Sequence, residues 1–230
     1  MNRRTLLGMP LLALPLAEEV RAQVAKGANE GYQTAEDRAR VARNLANPER
    51  AKRDKPRELL AQIGVVKGST VADIGTGIGF MIPYFLERIG PTGKLYAEDI
   101  QQQFLDKVEA SKKREGWENV ETVLGTERDP NLPAASVDLA FILDAYHHFN
   151  YPQESLTSIR KSLKPDGRLV VVDFYRSRPH PRMPAERLKN HIRKDRDGFA
   201  AEIEQAGFRL IRHFDQLPHQ YALIFNVKNP

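Results

Sequence analysis

The sequence predicts an α/β fold: a doubly wound, mostly parallel, seven-stranded sheet with an N-terminal helical extension. Three observations carry this expectation. From Lys67 onward, short apolar runs alternate with amphipathic stretches. The first of these runs, "STVADIG", leads into three glycines within five positions, Gly75, Gly77 and Gly79. The C-terminal tail, "GFRLIRHFDQLPHQYALIFNVK", holds two apolar runs joined through Pro218 without a helix between them. Strand–helix alternation implies a parallel sheet covered on both faces. The tail adds two strands, antiparallel to each other.

Taken in order, residues 1–22 stand apart from the fold. "MNRR" is a positive n-region, "TLLGMPLLALPLA" is a 13-residue apolar run, and "VRA" before Gln23 fits a small-residue cleavage site. The run is too short to span a bilayer, which needs about 20 residues. Arg3-Arg4 before it resembles a twin-arginine export signal, although Pro10 and Pro15 depart from that pattern. Residues 1–22 are therefore read as a signal peptide or membrane tether, against the plainer reading of a buried or interfacial helix.

Residues 23–66 form the helical extension. Val41, Leu45, Leu59, Leu60 and Ile63 are its expected core-facing positions, and Pro48 and Pro56 divide it. Residues 67–230 hold the main domain. Its expected strands are "STVADIG", "KLYAEDI", "NVETVLG", "VDLAFILDA" and "GRLVVVDFY". The helices between them are "MIPYFLERIG", "QQFLDKVEASKKREG" and "QESLTSIRKSLKPDG", with Gly90 and Gly116 closing two of them and "KPDG" read as a turn.

Composition sets bounds on the chemistry. The chain has 230 residues, enough for one well-buried core, with 41% hydrophobic and 28% charged residues. It contains no cysteine, which excludes disulfides, thiolate metal sites and a thiol nucleophile. The net charge is +5, yet residues 176–196 alone carry eight Lys/Arg against Glu186 and Asp195, leaving the remainder at −1. The basic character is one patch. It suits an anionic acceptor or a membrane surface, against the plainer reading of a solvated loop and helix. No aromatic-rich basic motif supports a nucleic-acid partner.

A glycine loop after the first strand lets the backbone pass close beneath a ligand. The spacing is G-x-G-x-G followed by Phe80, unlike the dinucleotide fingerprint G-x-G-x-x-G, and the Walker lysine is missing. Asp73 at the strand end would repel a pyrophosphate. It suits a cationic or amino-bearing ligand.

"VADIGTGIGF" resembles the first motif of class I S-adenosylmethionine-dependent methyltransferases. "GKLYAEDIQQQFLDKV" is similar to their second, with Asp99 placed 24 positions after Gly75. "VLGTERDPNLPAASVDLAFILDAYHHF" resembles the third and fourth motifs, and "LKPDGRLVVVDF" completes the set. The resemblance covers roughly residues 55–227. It implies a Rossmann-like methyltransferase fold and S-adenosyl-L-methionine as cofactor. Cofactor contacts then fall to Asp73, Gly75, Thr76, Gly77, Gly79, Asp99, Ile100, Thr126, Glu127 and Asp144. By that resemblance Asp99, rather than Glu98, takes the ribose hydroxyls, and Ile100 packs on the adenine. Thr126 departs from the pattern, since many members carry an acid there that meets the adenine amino group; Glu127 is the neighbouring candidate.

Methyl transfer from a sulfonium chiefly demands alignment, and a base only where the acceptor loses a proton. "DAYHHF" ends the fourth strand, which makes Asp144, His147 and His148 the candidate catalytic residues. Adjacent histidines cannot face the same way, so one of the two is expected to serve the site, with His148 favoured. Asp144, His147 and His148 lack the further carboxylates of a metal site, and no metal is expected. His180, His191, His213 and His219 are read as surface or structural residues.

The expected function is methyl transfer to a small-molecule acceptor, an anionic one being compatible with the basic patch. The alternatives are a non-catalytic S-adenosylmethionine-binding protein and, less well supported by the glycine spacing, an NAD(P)-dependent oxidoreductase. The N-terminal segment favours an exported, periplasmic or membrane-associated protein over the alternative, a cytoplasmic one. A tethered domain would keep its cofactor, which cells make and use internally, and the basic patch would add attraction to anionic lipid.

Overall fold

The computed structural model describes residues 23–179, 183–215, 217 and 219–228. The expected signal or tether at 1–22, His180 and Pro218 lie outside the described residues. The helices are α1 (Lys26–Asn29), α2 (Ala35–Leu45), α3 (Arg50–Asp54), α4 (Pro56–Ile63), α5 (Ile82–Ile89), α6 (Gln102–Glu115), α7 (Pro152–Ser162), α8 (Ala185–His191) and α9 (Arg196–Gln205). The strands are β1 (Thr70–Ile74), β2 (Lys94–Asp99), β3 (Val120–Leu124), β4 (Val137–Leu143), β5 (Leu163–Phe174), β6 (Phe208–Phe214) and β7 (Gln220–Val227). Among the described residues, no helix is long and apolar enough to cross a membrane.

The sheet runs β3-β2-β1-β4-β5-β7-β6. β1 to β5 are parallel, with Val71 beside Leu95 on one flank and Leu139 on the other, while β7 is antiparallel to both β5 and β6. The winding reverses between β1 and β4, and that is the place where such sheets bind ligands. Both faces are covered, which is why the central strands read as near-continuous apolar runs. In β4, Leu139, Phe141 and Leu143 face a layer containing Leu59, Leu60, Ile63 and Phe85. Ala140 and Ile142 face the opposite layer with Leu156, Ile159, Phe199 and Ile203. Phe85 meets Phe141 edge-on at 5.2 Å, a favoured aromatic geometry.

Local chemistry sets the helix ends. Thr34 and Asp37 form a reciprocal capping box on α2, and Asp195 caps α9 through the Gly198 amide. Pro56 and Pro152 each occupy the first turn of a helix, where a missing N–H costs nothing. Leu59, Leu60 and Ile63 are buried as expected, whereas Val41 and Leu45 are only half-buried.

Two expectations change. "KPDG" is not a free turn: residues 164–167 lie within β5, where the register against β4 jumps from Val137↔Leu163 to Leu139↔Arg168. The excursion folds back onto the sheet because both flanks keep pairing. The basic segment 176–196 also contributes to the core, with Leu188 and Ile192 buried in the second layer. Several of its charges are held internally. Arg193 forms a two-pronged pair with Glu202 at 2.6 and 2.7 Å, and Glu202 also accepts from the Tyr146 hydroxyl at 2.8 Å. Arg196 reaches Asp215 at 3.1 Å. At the sheet edge, β6 carries exposed Arg209, Ile211, Arg212 and His213, with a register break between Leu210 and Arg212.

The Glu202 network supplies a stability test. Glu202→Ala strands a buried guanidinium and a buried phenol, so a loss of about 3–5 kcal/mol is expected in urea unfolding. Glu186→Ala, at an exposed ion pair, is expected to stay within about 0.5 kcal/mol of the parent.

Candidate active site

The chain leaves β1 through a loop that glycine alone suits at two positions. Gly75 (φ 71°) and Gly77 (φ 59°) both occupy the left-handed region. A Cβ at Gly75 would fall 2.7 Å from the Ala145 Cβ, and one at Gly77 would fall 3.0 Å from Leu45 Cδ1. Amides of this loop point at the end of β2. The Gly75 N–H donates to Glu98 Oε2 at 3.1 Å, and the Gly77 N–H to Asp99 Oδ2 at 2.9 Å. Asp99 Oδ1 accepts from the Gln101 amide at 2.8 Å. Asp73 accepts from the Thr76 hydroxyl at 2.7 Å.

Asp73, Glu98 and Asp99 are all buried within this small volume. Removal from water raises each of them: Asp73 to about 6, with Thr76 opposing; Asp99 to about 6, with the Gln101 and Gly77 amides opposing; and Glu98 well above the usual carboxylate range, helped by neighbouring Asp99. Three carboxylates so placed ask for hydrogen-bond donors or positive charge.

At the end of β4, Asp144 takes a left-handed backbone (φ 54°), its N–H bonded to the Val172 carbonyl. Gln220 Nε2 donates to its carboxylate at 2.6 Å, and Arg50 lies 3.8 Å away. Burial, then the nearby Asp54, push Asp144 upward. Arg50 is itself buried, bound to Asp54 at 2.9 Å and stacked 4.2 Å over Phe80. Tyr146–His148 form one 3-10 turn, and the two imidazoles, expected to face different ways, pack 4.2 Å apart between ring centroids. His147 is buried, its backbone amide and Nδ1 both on Asp173 at 3.0 and 2.7 Å. His148 Nδ1 meets Asn29 Oδ1 at 2.9 Å, and burial with His147 and His191 beside it holds its pKa well below the ordinary value.

One cleft joins these parts. Of the residues expected from the sequence, Asp73, Gly75, Thr76, Gly77, Asp99, Ile100, Thr126, Glu127, Asp144 and His148 line it. Gly79 does not, because it packs beneath the loop, where a Cβ would meet Ile82 at 2.8 Å. His147 also lies behind the wall, turned to Asp173. Thr126 spends its hydroxyl on its own turn, with the Asp129 and Arg128 amides, while Glu127 accepts from Asn150 at 2.7 Å on the rim. His191, read as surface or structural, stands against both His147 and His148.

The extension supplies what sequence reasoning missed: Asn29, Tyr32, Leu45 and Arg50 all line the cleft. Arg50 and Asp54, four apart in "RAKRD", signal a helix ion pair but give no hint of burial. Asn150 anchors the extension by accepting from the Val24 and Ala25 amides.

These residues fit S-adenosylmethionine. A cationic, hydroxyl- and amino-bearing molecule meets the buried carboxylates, and the side-chain-free loop leaves room for its approach. A pyrophosphate would face three acids, so the NAD(P) reading does not fit. Residues 72–171 match the family described as Methyltransferase domain. A SAM-dependent methyltransferase of known structure from Aquifex aeolicus superposes with a TM-score of 0.75 at 26% identity, covering 81% of this chain and 96% of that one. The ubiquinone/menaquinone biosynthesis C-methyltransferase UbiE of Cupriavidus necator is 28% identical over 115 residues, 50% of this chain and 47% of its own length. The uncharacterized methyltransferase YcgJ of Bacillus subtilis is 30% identical over 132 residues, 55% of this chain and 48% of its own. The chain thus spans about half the length of these two curated relatives. Its sheet is a Rossmann-like methyltransferase fold, residues 72–171 hold the match to the methyltransferase domain, and S-adenosylmethionine is the cofactor these matches imply.

The raised carboxyls give a signed pH effect. A carboxyl whose folded pKa exceeds its unfolded value contributes stability fully present below the unfolded value and lost as pH rises through the folded one. For Asp99 that window runs from 3.8 to about 6. Between these limits the ligand-free parent is expected to lose, relative to Asp99→Asn, on the order of 2–3 kcal/mol. Urea titrations of both proteins across the window check it.

Proposed function

We propose that this chain transfers the methyl group of S-adenosylmethionine to a small, anionic acceptor that enters at the Asp144–His148 end of the cleft. The supporting observation is the continuity of one cleft from the glycine loop and Asp99 to Arg50, Asp144 and His148. When bound, the cofactor supplies an electrophilic methyl group on a sulfonium. Asp99 would hold the ribose hydroxyls with the lone pairs its two amide bonds leave over. Ile100, 44% exposed, offers an apolar face to the adenine, with Thr126 and Glu127 at its edge. Arg50 is the one Lys or Arg among the described cleft-lining residues, so it suits the methionine carboxylate, with Asp73 or Asp144 for the amino group.

Alignment is the main catalytic demand, and the acceptor end is rigidly built. Gln220 and the Val172 carbonyl fix Asp144. His147, clamped on Asp173, is a positioning residue that sets the direction of His148. Tyr32, Phe80, Phe104 and Phe149 exclude water from the walls. The reading of an anionic acceptor rests on the basic segment 176–196, whose Arg187 and Lys189 are exposed on α8, the helix that carries His191. The 13-residue apolar run near the N-terminus is proposed to export the domain or hold it at a membrane, which fractionation and mass spectrometry of the N-terminus would test.

Asp99→Ala is expected to weaken S-adenosylmethionine binding tenfold to a hundredfold by calorimetry. Unchanged affinity in a folded variant overturns the cofactor assignment. Acceptor pools, beginning with quinone-biosynthesis precursors because the UbiE relatives are named for that work, are screened for a mass gain of one methyl group. With an acceptor found, His148→Ala is expected to lower turnover tenfold or more while its melting temperature stays within a few degrees of the parent.

A further inference from the structure

Behind the acceptor end, three imidazoles converge from two distant segments. His147 and His148 lie 4.2 Å apart between ring centroids, and His191 of α8 stands 4.9 and 5.2 Å from them. One ring nitrogen from each can be chosen so that all three lie within 4.8 Å of one another. The fold brings them together deliberately. Gly27 lets α1 approach the carbonyl of Asn190, where a Cβ would sit at 2.9 Å, and α1 ends in Asn29, which takes His148.

We propose that His147, His148 and His191 form a binding site for a divalent transition-metal ion of the Zn²⁺ class.

Two observations point to a ligand. His147 is 1% exposed, its Nδ1 sits on Asp173, and its opposite nitrogen, Nε2, is buried without a hydrogen-bond partner. A buried unsatisfied nitrogen is costly, and a metal ion would satisfy it. The second is the orientation of the outer groups. His147 Nδ1 sits 2.7 Å from Asp173 Oδ1 and His148 Nδ1 2.9 Å from Asn29 Oδ1; oxygen acceptors there favour the Nδ1–H tautomers, which would leave both Nε2 lone pairs for an ion. A carboxylate or carbonyl behind each ligating histidine is the usual arrangement at such sites. Imidazole ligands suit Zn²⁺, Co²⁺, Ni²⁺ and Cu²⁺.

On a tetrahedral Zn²⁺, nitrogens about 2.0–2.1 Å from the metal lie roughly 3.3 Å apart. The present nitrogens, within 4.8 Å of one another, would draw in by up to about 1.5 Å to reach that size. Three protein ligands leave a fourth position for water or an acceptor oxygen. Resting on the methyltransferase reading, an ion here would hold an acceptor oxygen as its anion, the work otherwise open to His148. Binding itself is independent of that reading.

The test uses tag-free, full-length protein stripped with chelator and dialysed against Zn²⁺ or Co²⁺. Metal analysis after gel filtration is expected to find one ion per chain, and the Co²⁺ form to show the visible d–d bands of a low-coordinate nitrogen site. His191→Asn, at a half-buried position, is expected to reduce retained metal at least tenfold without loss of fold, and Asp173→Asn to weaken binding 10–100-fold through His147. His213→Ala, on the exposed edge strand, is expected to retain the ion. No stoichiometric metal in the parent overturns the proposal, as does equal retention in folded His191→Asn. Calorimetry with S-adenosylmethionine on the same samples reads the cofactor assignment separately.

Discussion

Everything at the candidate site depends on carboxylates removed from water at the ends of three adjacent strands. Asp73, Glu98 and Asp144 cap or follow β1, β2 and β4, and Asp99 closes β2. Buried acids that close to one another resist ionisation together, since each charge raises the energy of the next. The protein offsets this with a small set of donors: the Gly75 and Gly77 amides, the Thr76 hydroxyl, Gln220 and Arg50. Glycine in the loop is therefore required twice over. It permits the left-handed turn, and it turns two N–H groups toward oxygens that would otherwise lack partners.

Arg50 links this arrangement to the helical extension. Its guanidinium touches Asp54, approaches Asp144 and stacks on Phe80, so α3 sits in the site's electrostatic balance although it belongs to the extension. The extension is also a wall, since Asn29, Tyr32 and Leu45 close the cleft that the sheet leaves open. A division into extension and catalytic domain describes the chain's order better than its chemistry.

The fold was legible because its signals are periodic and local. Apolar runs of strand length, glycines at their ends and amphipathic stretches between them specify the seven strands and their alternation with helices. The glycine loop, Asp99 and the Asp144–His148 turn were legible because all of them lie at strand ends, where a doubly wound sheet binds ligands. Contacts across long separations were not. Nothing near Asn29 in the chain announces His148, 119 positions away, and His191 reads as one more polar residue until α8 folds against α1. The basic segment was only partly legible for a related reason. Charge counts cannot separate a guanidinium in solvent from Arg193, which is locked on Glu202 beneath Tyr146.

The outer strand β6 has a consequence for the behaviour of the chain among its own copies. A sheet edge offers unpaired backbone groups to any passing strand, and regular, uncharged edges seed aggregation. Here the edge is broken in register between Leu210 and Arg212, and Arg209, Arg212 and His213 project from it. Arg212 is tied back to the Gln62 carbonyl, which holds its charge along the rim. A strand docking there would meet a kinked ladder and the charges of Arg209 and Arg212. The charged strand thus guards this open edge of the sheet, and leaves Ile211 as an isolated apolar residue rather than the start of a sticky patch.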